Sequence, residues 1–337
     1  MATPRVAICP HISVEHFRGG EKWAVALANR MAEEVEVSIH ALPYAPGGTR
    51  KVKVRDVLEP DVPYSESWRH DLSKYDSAYI FYNPFSNIFF HGANRSVAGI
   101  HSWVYISDRL FESHYGIVPT IVKALYWGFG QFDLNRFDVV HTVTPAFESP
   151  HPKTIHIPNF VDTEKFNPDR TRLNREFTVL VTSAHITAKG WDTVIELSTQ
   201  LPANINLAAT GTSDSSSVRD LGFLNESALA DAYSRSHVVL HPARVDTDSM
   251  VINEALASGT PVITTPIPTH IRQNRAVIHS STITEMRNAI RRLYSEWKSE
   301  RGYEERCEIA REEGLKHDFD VIYPRLKRLL VEPEMSP

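Results

Sequence analysis

Short apolar runs alternate with segments of helical periodicity along almost the whole chain. This alternation is typical of α/β proteins with parallel sheets. In the first half it predicts strands at 6–9, 35–42, 78–82, 97–101 and 139–143, and helices at 20–31 and 118–132. In the second half it predicts strands at 177–183, 206–209, 238–241 and 261–264, and helices at 191–201, 226–236, 251–258 and most of 303–330. Basic residues that alternate with valine at 50–55 predict one further, half-exposed strand.

The chain of 337 residues is long enough for two domains. Residues 157–175 are rich in Pro, Asn and Asp and lack any period, so we place a hinge there. We predict two doubly wound, Rossmann-like domains, 1–160 and 161–310, that face a central cleft, and a helix in 311–337 that crosses back onto the first. Ligands of such sheets bind beyond the carboxyl ends of the strands, where the strand order reverses. The loops that follow strands are therefore where a site is expected.

Composition excludes several classes of protein. Lys and Arg number 36 against 41 Asp and Glu, so no strong cationic field exists and nucleic acid is not expected as a partner. Cys9 and Cys307 lie too far apart in sequence for a zinc motif, which fits a reducing compartment. We find no secretory signal and no membrane-spanning apolar stretch, and we expect a cytoplasmic protein. Aromatic residues at 79–90 and 126–132 suit either core packing or peripheral contact with the inner membrane surface.

The strongest local signal lies in residues 242–263, which lead from a strand through a loop and a helix to the next strand. Asp246 on the loop and Glu254 on the helix are separated by seven residues. The helix begins with Ser249, Met250 and Val251. Free N–H groups at a helix start favour an anion such as a diphosphate, and carboxylates accept hydrogen bonds from sugar hydroxyls. A nucleotide-sugar site needs both, although Asp246 or Asp248 could equally cap the helix and Glu254 could pair with a surface cation.

Further motifs occur in order along the chain: GGE at 19–21, IPNFVDTEKF at 157–166, TAKGWD at 187–192, and GFL at 222–224 continued by residues 229–242. Together with 246–263, they resemble the GT-B glycosyltransferases of retaining family 4, also called glycosyl transferases group 1. The hallmark of that family is E-x(7)-E followed by A-x-A-x-G-x-P-V-I, and Asp246 replaces the first Glu. The resemblance covers residues 140–265 well and the N-terminal half thinly. It implies a GT-B fold and a retaining, hexosyltransferase-type enzyme that moves a sugar from a nucleotide-activated donor to an acceptor hydroxyl.

The resemblance also implies roles for residues in the second domain. Glu254 would bind the ribose hydroxyls of the nucleotide, and Asp246 would face the donor sugar. Lys189 would neutralise the donor diphosphate, and the backbone N–H groups of Ser249, Met250 and Val251 would complete the cradle. The donor would be a UDP- or GDP-linked sugar, and the acceptor a glycan, a lipid-linked molecule or a small molecule. We expect no obligatory cofactor.

Other implied roles are distributed over both domains. Phe223 and Leu224 would border the nucleotide base through their backbones. Gly19 and Gly20 would allow a loop of the first domain to approach the phosphates. His101, at the end of a predicted strand, matches the histidine that the family places beside the reacting sugar. The residues nearest the reaction would then be His101, Asp246 and Glu254.

Three departures from the family pattern leave other interpretations open. Ala184 occupies the position of an expected Arg, Phe160 that of a Gly, and Asp246 is one methylene shorter than Glu. The missing positive charge could come from Arg244, Arg272 or His185. We therefore also consider a GT-B nucleotide-sugar epimerase and a non-catalytic subunit that binds nucleotide or glycan.

A last alternative is a metal-dependent site. Residues 246–248 spell D-x-D, the metal-binding signature of GT-A glycosyltransferases. In that fold the signature follows a strand of a nucleotide-binding N-terminal half, whereas here it lies late in the chain and inside the longer motif. We therefore expect no metal ion.

Overall fold

The computed structural model describes residues 3–332 apart from 18, 44–50, 84–85, 102–127, 131, 148, 150 and 214. Most of the helix predicted at 118–132, and part of the aromatic segment at 126–132, lie outside these residues. The described residues divide into two units, the first formed by 3–158 with 322–332 and the second by 159–321. None of the described helices has the length and apolar character needed to cross a membrane.

The first unit contains a seven-stranded parallel sheet of order β3-β2-β1-β5-β7-β8-β9. Its strands are β1 (Arg5–Cys9), β2 (Glu36–Ala41), β3 (Tyr64–Glu66), β5 (Ser77–Phe81), β7 (Ser96–Ile100), β8 (Val139–Thr142) and β9 (Thr154–His156). Two short strands, β4 (His70–Asp71) and β6 (Phe90–His91), pair separately. The helices are α1 (Gly19–Ala32) and the short α2 (Ser86–Phe89). The strand order reverses between β1 and β5, which defines the switch point of this sheet.

The second unit contains a six-stranded parallel sheet of order β12-β11-β10-β13-β14-β15. Its strands are β10 (Phe177–Val181), β11 (Ile205–Ala209), β12 (Arg219–Asp220), β13 (Val238–His241), β14 (Val262–Thr264) and β15 (Val277–His279). Its helices are α3 (Trp191–Ser198), α4 (Glu226–Arg235), α5 (Met250–Ala257), α6 (Ile283–Lys298) and α7 (Tyr303–Leu315). The final helix, α8 (Phe319–Val331), begins in this unit, and its residues from 322 onward belong to the first.

Both faces of the second sheet are covered, as a doubly wound fold requires. Val179 of β10 packs in one apolar cluster with Val194 of α3 and Ile290 of α6. Leu180, the next residue of the strand, packs in a second cluster with Ile252 of α5. Successive side chains of a strand point to opposite faces, so a strand buried on both sides is mostly apolar. This is why the central strands were recognisable as continuous apolar runs.

The predicted α/β class with two Rossmann-like sheets is confirmed, and the nine apolar runs are all strands. The prediction of a strand at 50–55 is wrong, because Val54–Asp56 forms a short 3-10 helix. The backbone N–H of Lys51 donates to the carbonyl of Glu15 (2.8 Å), so this segment is tied to a loop and joins no sheet. The unpredicted elements are α2, α6 and the strands β3, β4, β6, β9, β12 and β15.

Candidate functional site

The switch point of the second sheet lies between β10 and β13, and two loops meet beyond these strands. The loop after β10 ends in a short 3-10 helix, Thr187–Lys189, and the loop after β13 holds Asp246 and Ser249. The backbone N–H groups of Arg244 and Val245 both donate to the carbonyl of Ala188, at 2.9 and 3.3 Å. The two loops are therefore held together at the position where an open α/β sheet binds its ligand.

Gly190 fixes the direction of the chain just after Lys189. Its φ of +75° lies in the left-handed region, and a Cβ placed on it would lie 2.2 Å from the carbonyl oxygen of Pro242. Any other residue would be strained by its backbone angle and would also collide with the neighbouring loop. The Gly of the Lys-Gly motif thus has a structural reason that is independent of any ligand.

Lys189 and Asp246 form an ion pair between the two loops. The Lys189 Nζ lies 2.9 Å from Asp246 Oδ1 and 3.3 Å from the carbonyl oxygen of Val245. Asp246 Oδ2 lies 2.8 Å from His241 Nε2 and 3.5 Å from His270 Nε2. Burial alone would raise the pKa of the Asp246 carboxyl, yet the Lys189 ammonium and the two imidazole rings hold it well below its usual value. Asp246 is therefore ionised, and it positions the Lys189 ammonium.

Within the described part of the chain, His241, Asp246 and His270 are the group best arranged to hold a metal ion, with ligand atoms within 4.8 Å of one another. The other oxygen of Asp246 is, however, bound by the Lys189 ammonium and by the backbone N–H of Thr247 at 2.9 Å. A divalent cation there would be repelled by the ammonium and would have to displace the proton of a buried imidazole. The arrangement favours a hydrogen-bonded carboxylate.

Ser249 is the N-cap of α5, where its side chain accepts a hydrogen bond from the backbone N–H of Ile252. Its hydroxyl also lies 3.1 Å from His241 Nε2, which links the helix start to the ion pair just described. Met250 and Val251 form the first turn of α5 and are partly exposed. The backbone N–H groups of a first turn have no partner within the helix, so this end of α5 can donate to an anion.

Asp248 does not cap α5 but ties the loop to the segment that precedes the second sheet. Its buried carboxylate accepts from the backbone N–H of Asn159 (2.6 Å), and its carbonyl accepts from the side-chain amide of Asn159 (2.8 Å). Arg272 donates to the same carboxylate at 3.2 Å. The Asn of the IPN motif is therefore an anchor for the loop that bears Asp246.

Glu254 lies in the second turn of α5 and is mostly buried. The hydroxyl of Tyr233, on α4, donates to Glu254 Oε2 at 2.9 Å. That hydroxyl has one proton, which it donates to Glu254. In its 2.7 Å contact with Thr182 Oγ1, Tyr233 therefore accepts the hydrogen bond. Burial, followed by the charge of Glu254, raises the pKa of Tyr233 well above its ordinary value, so it stays a donor. This bond fixes the orientation of the carboxylate.

Phe223 and Leu224 follow β12, an edge strand that lies two places from β10 in the sheet. The Phe223 side chain is 76% exposed, whereas Leu224 is partly buried. Gly222 adopts a left-handed φ of +66°, and its carbonyl accepts from the backbone N–H of Gly211 at 2.7 Å. These residues therefore lie at the edge of the sheet, away from the Lys189–Asp246 pair at the switch point.

The remaining predicted residues lie in the first unit. Gly19 and Gly20 are the first residues of α1, and Gly20 does not have a left-handed φ. His101 directly follows β7, and its Nε2 lies 2.7 Å from the hydroxyl oxygen of Tyr79. Its ring stacks on Phe81 with centroids 4.5 Å apart. Burial, with smaller contributions from neighbouring histidines, lowers the pKa of His101 well below its usual value, so the ring is neutral.

The whole chain is similar in structure to several glycosyltransferases of solved structure. Sucrose-phosphate synthase from Thermosynechococcus elongatus matches with a TM-score of 0.75 and 16% identity over 97% of this chain and 98% of that one. HepE from Anabaena, solved with UDP and glucose, matches with a TM-score of 0.74 and 14% identity over 96% and 98%. WaaG, a glycosyltransferase involved in lipopolysaccharide biosynthesis, matches with a TM-score of 0.69 and 13% identity over 97% and 100%. The chain has the GT-B fold.

The family model described as "Glycosyl transferases group 1" matches residues 181–296 of this GT-B chain. The match begins at the end of β10 and includes Lys189, Asp246 and Glu254. The predicted resemblance to group 1 glycosyltransferases is confirmed over these residues. A comparison with curated proteins gives no match.

None of the three residues considered offers a ready replacement for the Arg that the family pattern has at the position of Ala184. Arg244 makes two hydrogen bonds to Asp192, at 2.8 and 2.7 Å. Arg272 pairs with Asp248, and His185 stacks on an indole ring with centroids 3.6 Å apart. Lys189 and Arg272 are therefore both paired with carboxylates of the loop that precedes α5, Lys189 with Asp246 and Arg272 with Asp248.

Sequence reasoning included Tyr233 and His241 in a motif without giving them a role, and it did not find His270; these residues hold Glu254 and Asp246 in place. His241 carries the clearest signal, since it is the last residue of an apolar strand directly before the strongest motif. Tyr233 and His270 are distant in sequence from the carboxylates they contact. Only the fold brings them there.

Proposed function

We propose that this protein is a retaining glycosyltransferase that moves a hexose from a nucleotide-sugar donor to an acceptor hydroxyl. One observation carries the proposal: Lys189 lies at the switch point beside the start of α5, within the residues that match the group 1 glycosyltransferase family. An ammonium and unpaired helix N–H groups are suited to a diphosphate.

The donor diphosphate would bind the start of α5 at Met250 and Val251 and would compete with Asp246 for the Lys189 ammonium. Negative charge grows on the diphosphate as the bond to the sugar breaks, so donors already fixed in place lower the barrier. Once Lys189 turns to the phosphate, Asp246 gains the freedom to accept a hydrogen bond from a sugar hydroxyl. Glu254, oriented by Tyr233, would bind the ribose.

The donor is a UDP-sugar in this proposal, because HepE was solved with UDP and glucose. The base would contact the backbone of Phe223 and Leu224, and His101 in the first unit would lie near the reacting sugar. The acceptor is a hydroxyl of a glycan, a lipid-linked molecule or a small molecule. An enzyme with such substrates would work in the cytoplasm or at the inner membrane surface.

The test is release of nucleoside diphosphate from UDP- and GDP-hexoses by the full chain, with and without sugar acceptors. Lys189→Met should lower turnover about a hundredfold, the scale expected when a donor to a developing charge is removed. Lys165→Met is the matched control, since Lys165 lies in the same unit and pairs with Glu226 (2.8 Å) on the surface. We expect it to keep wild-type turnover.

Lys189→Met leaves the mostly buried Asp246 carboxylate without its cation. The double variant Lys189→Met/Asp246→Asn, which removes that charge as well, should therefore be measured beside it. Wild-type turnover in a folded Lys189→Met protein would show that the site is misassigned. An epimerised donor without an acceptor would replace this proposal with the epimerase alternative. Binding of UDP in thermal shift with no turnover of any donor would favour the non-catalytic subunit.

A further inference from the structure

A chain of three hydrogen bonds runs through the first unit and ends at His101. His141 Nε2 lies 2.8 Å from the backbone carbonyl oxygen of Ile157. The hydroxyl oxygen of Tyr79 lies 2.6 Å from His141 Nδ1 and 2.7 Å from His101 Nε2. Tyr79 and His141 are fully buried and belong to β5 and β8, on either side of β7, the strand that His101 follows.

The direction of every bond in this chain follows from its first member. The carbonyl oxygen of Ile157 can only accept, so the proton of His141 is on Nε2. Burial lowers the pKa of His141 to about 4, so the ring is neutral and its Nδ1 carries a lone pair. Tyr79 must donate its single proton to that nitrogen, and its oxygen then accepts from His101 Nε2.

We propose that Tyr79 and His141 are positioning residues that hold His101 in the neutral tautomer protonated at Nε2, which presents Nδ1 as an acceptor to a ligand hydroxyl. That this ligand is a sugar rests on the function proposed above, whereas the tautomer does not. A histidine without such a chain can exchange between its two neutral forms. The backbone carbonyl of Ile157 thus selects the nitrogen with which His101, two side chains away, can accept.

Gly99 and the aromatic neighbours make this geometry possible. A Cβ on Gly99 would lie 2.3 Å from the Tyr79 hydroxyl oxygen, so only glycine leaves room for that hydroxyl beside β7. The His101 ring is stacked on Phe81 and packs edge-on against Trp23, with centroids 4.7 Å apart. The ring plane is therefore fixed by packing, while the hydrogen-bond chain fixes the proton.

The experiment is long-range ¹H–¹⁵N NMR on the full chain labelled in histidine, with the His101 signals assigned from a His101→Gln spectrum. We expect wild-type His101 to carry its proton on Nε2, with unprotonated Nδ1, between about pH 6 and 8. Tyr79→Phe keeps the ring and removes the hydroxyl, so His101 should show a mixture of tautomers. Tyr82→Phe, at another buried tyrosine near the end of the same strand, should leave the His101 signals unchanged.

A His101 protonated at Nδ1, or signals unaffected by Tyr79→Phe, would overturn the proposal. If Tyr79→Phe does not fold, Gly99→Ala displaces the hydroxyl with the tyrosine retained and should produce the same mixture. A chain with the expected tautomer that transfers no sugar would count against the proposed function and leave this inference standing. In an active enzyme, Tyr79→Phe should lower kcat about tenfold with little change in the donor KM, as for a weakened acceptor in the transition state.

Discussion

Substituting Gly190 by alanine tests why Lys189 lies where it does. Gly190 has a φ of +75°, and an alanine there would be strained by about 1 kcal/mol or more. Its Cβ would also lie 2.2 Å from the carbonyl oxygen of Pro242 and 2.8 Å from its Cγ. The Pro242 loop cannot retreat freely, since Arg244 and Val245 donate to the carbonyl of Ala188. Overpacking of this kind costs about 1–3 kcal/mol, so the total expected loss of unfolding free energy is about 2–4 kcal/mol.

The measurement is urea unfolding of the full chain followed by tryptophan fluorescence, to which Trp191, adjacent to the substitution, contributes. Gly222→Ala is the matched control, because Gly222 also has a left-handed φ, of +66°, and a Cβ placed on it meets no atom within 4 Å. It should lose only the strain of about 1 kcal/mol. The difference between the two variants isolates the collision with Pro242. Equal losses in both would refute the reasoning that loop contact makes glycine necessary at 190.

Two further predictions concern buried polar groups. His141 and His241 are buried, and burial lowers the pKa of each to about 4, below the ordinary value of about 6.5. Between those pH values the unfolded chain takes up protons that the folded chain does not. Stability should therefore decrease as the pH is lowered from about 6.5 to about 4, by up to about 3 kcal/mol per group. Urea unfolding that is constant over this range would contradict the prediction. Tyr233→Phe removes the hydrogen bond to buried Glu254 and should cost about 1–3 kcal/mol in urea unfolding, and a cost near zero would show that the carboxylate is solvated.

The central strands could be predicted because their environment determines their composition. Every residue of β5, β10 and β13 is buried, and a strand covered on both faces is mostly apolar. The edge strands β3 and β12 have three and two residues, none of them buried, so they leave no apolar run to detect. Their pairing is decided by the strands beside them.

Helix α6 was missed although the sequence carries its signature. Thr282 and Glu285 form a capping box, in which each side chain accepts from the backbone of the other residue. This pattern, followed by apolar residues at helical spacing, predicts a helix start. The strand expected at 50–55 shows the opposite error, because alternating valines suit a sheet only where a neighbouring strand is available.

The sequence motifs named two residues that the structure brings together, Lys189 and Asp246, but not the contact between them. The motifs singled out Lys189, Asp246 and Glu254, and the structure places the first two 2.9 Å apart although 57 positions separate them in sequence (246 − 189 = 57). Motif spacing says which residues share a ligand in relatives, but not which of them contact one another. That depends on electrostatics, since a buried carboxylate and an ammonium are each stabilised by the other.

The structure also separates two kinds of residue that a family motif mixes. Gly190, Asn159 and Asp192 each have a complete explanation within the fold, as a left-handed turn, an anchor for Asp248 and a partner for Arg244. Their presence in the motifs therefore shows that the loops are built in the family's manner, and a non-catalytic relative would need them equally. Lys189 differs, because a surface carboxylate could satisfy its charge at less cost than the mostly buried Asp246. Substituting Lys189 is therefore the test that separates the proposed diphosphate site from a loop that only resembles one.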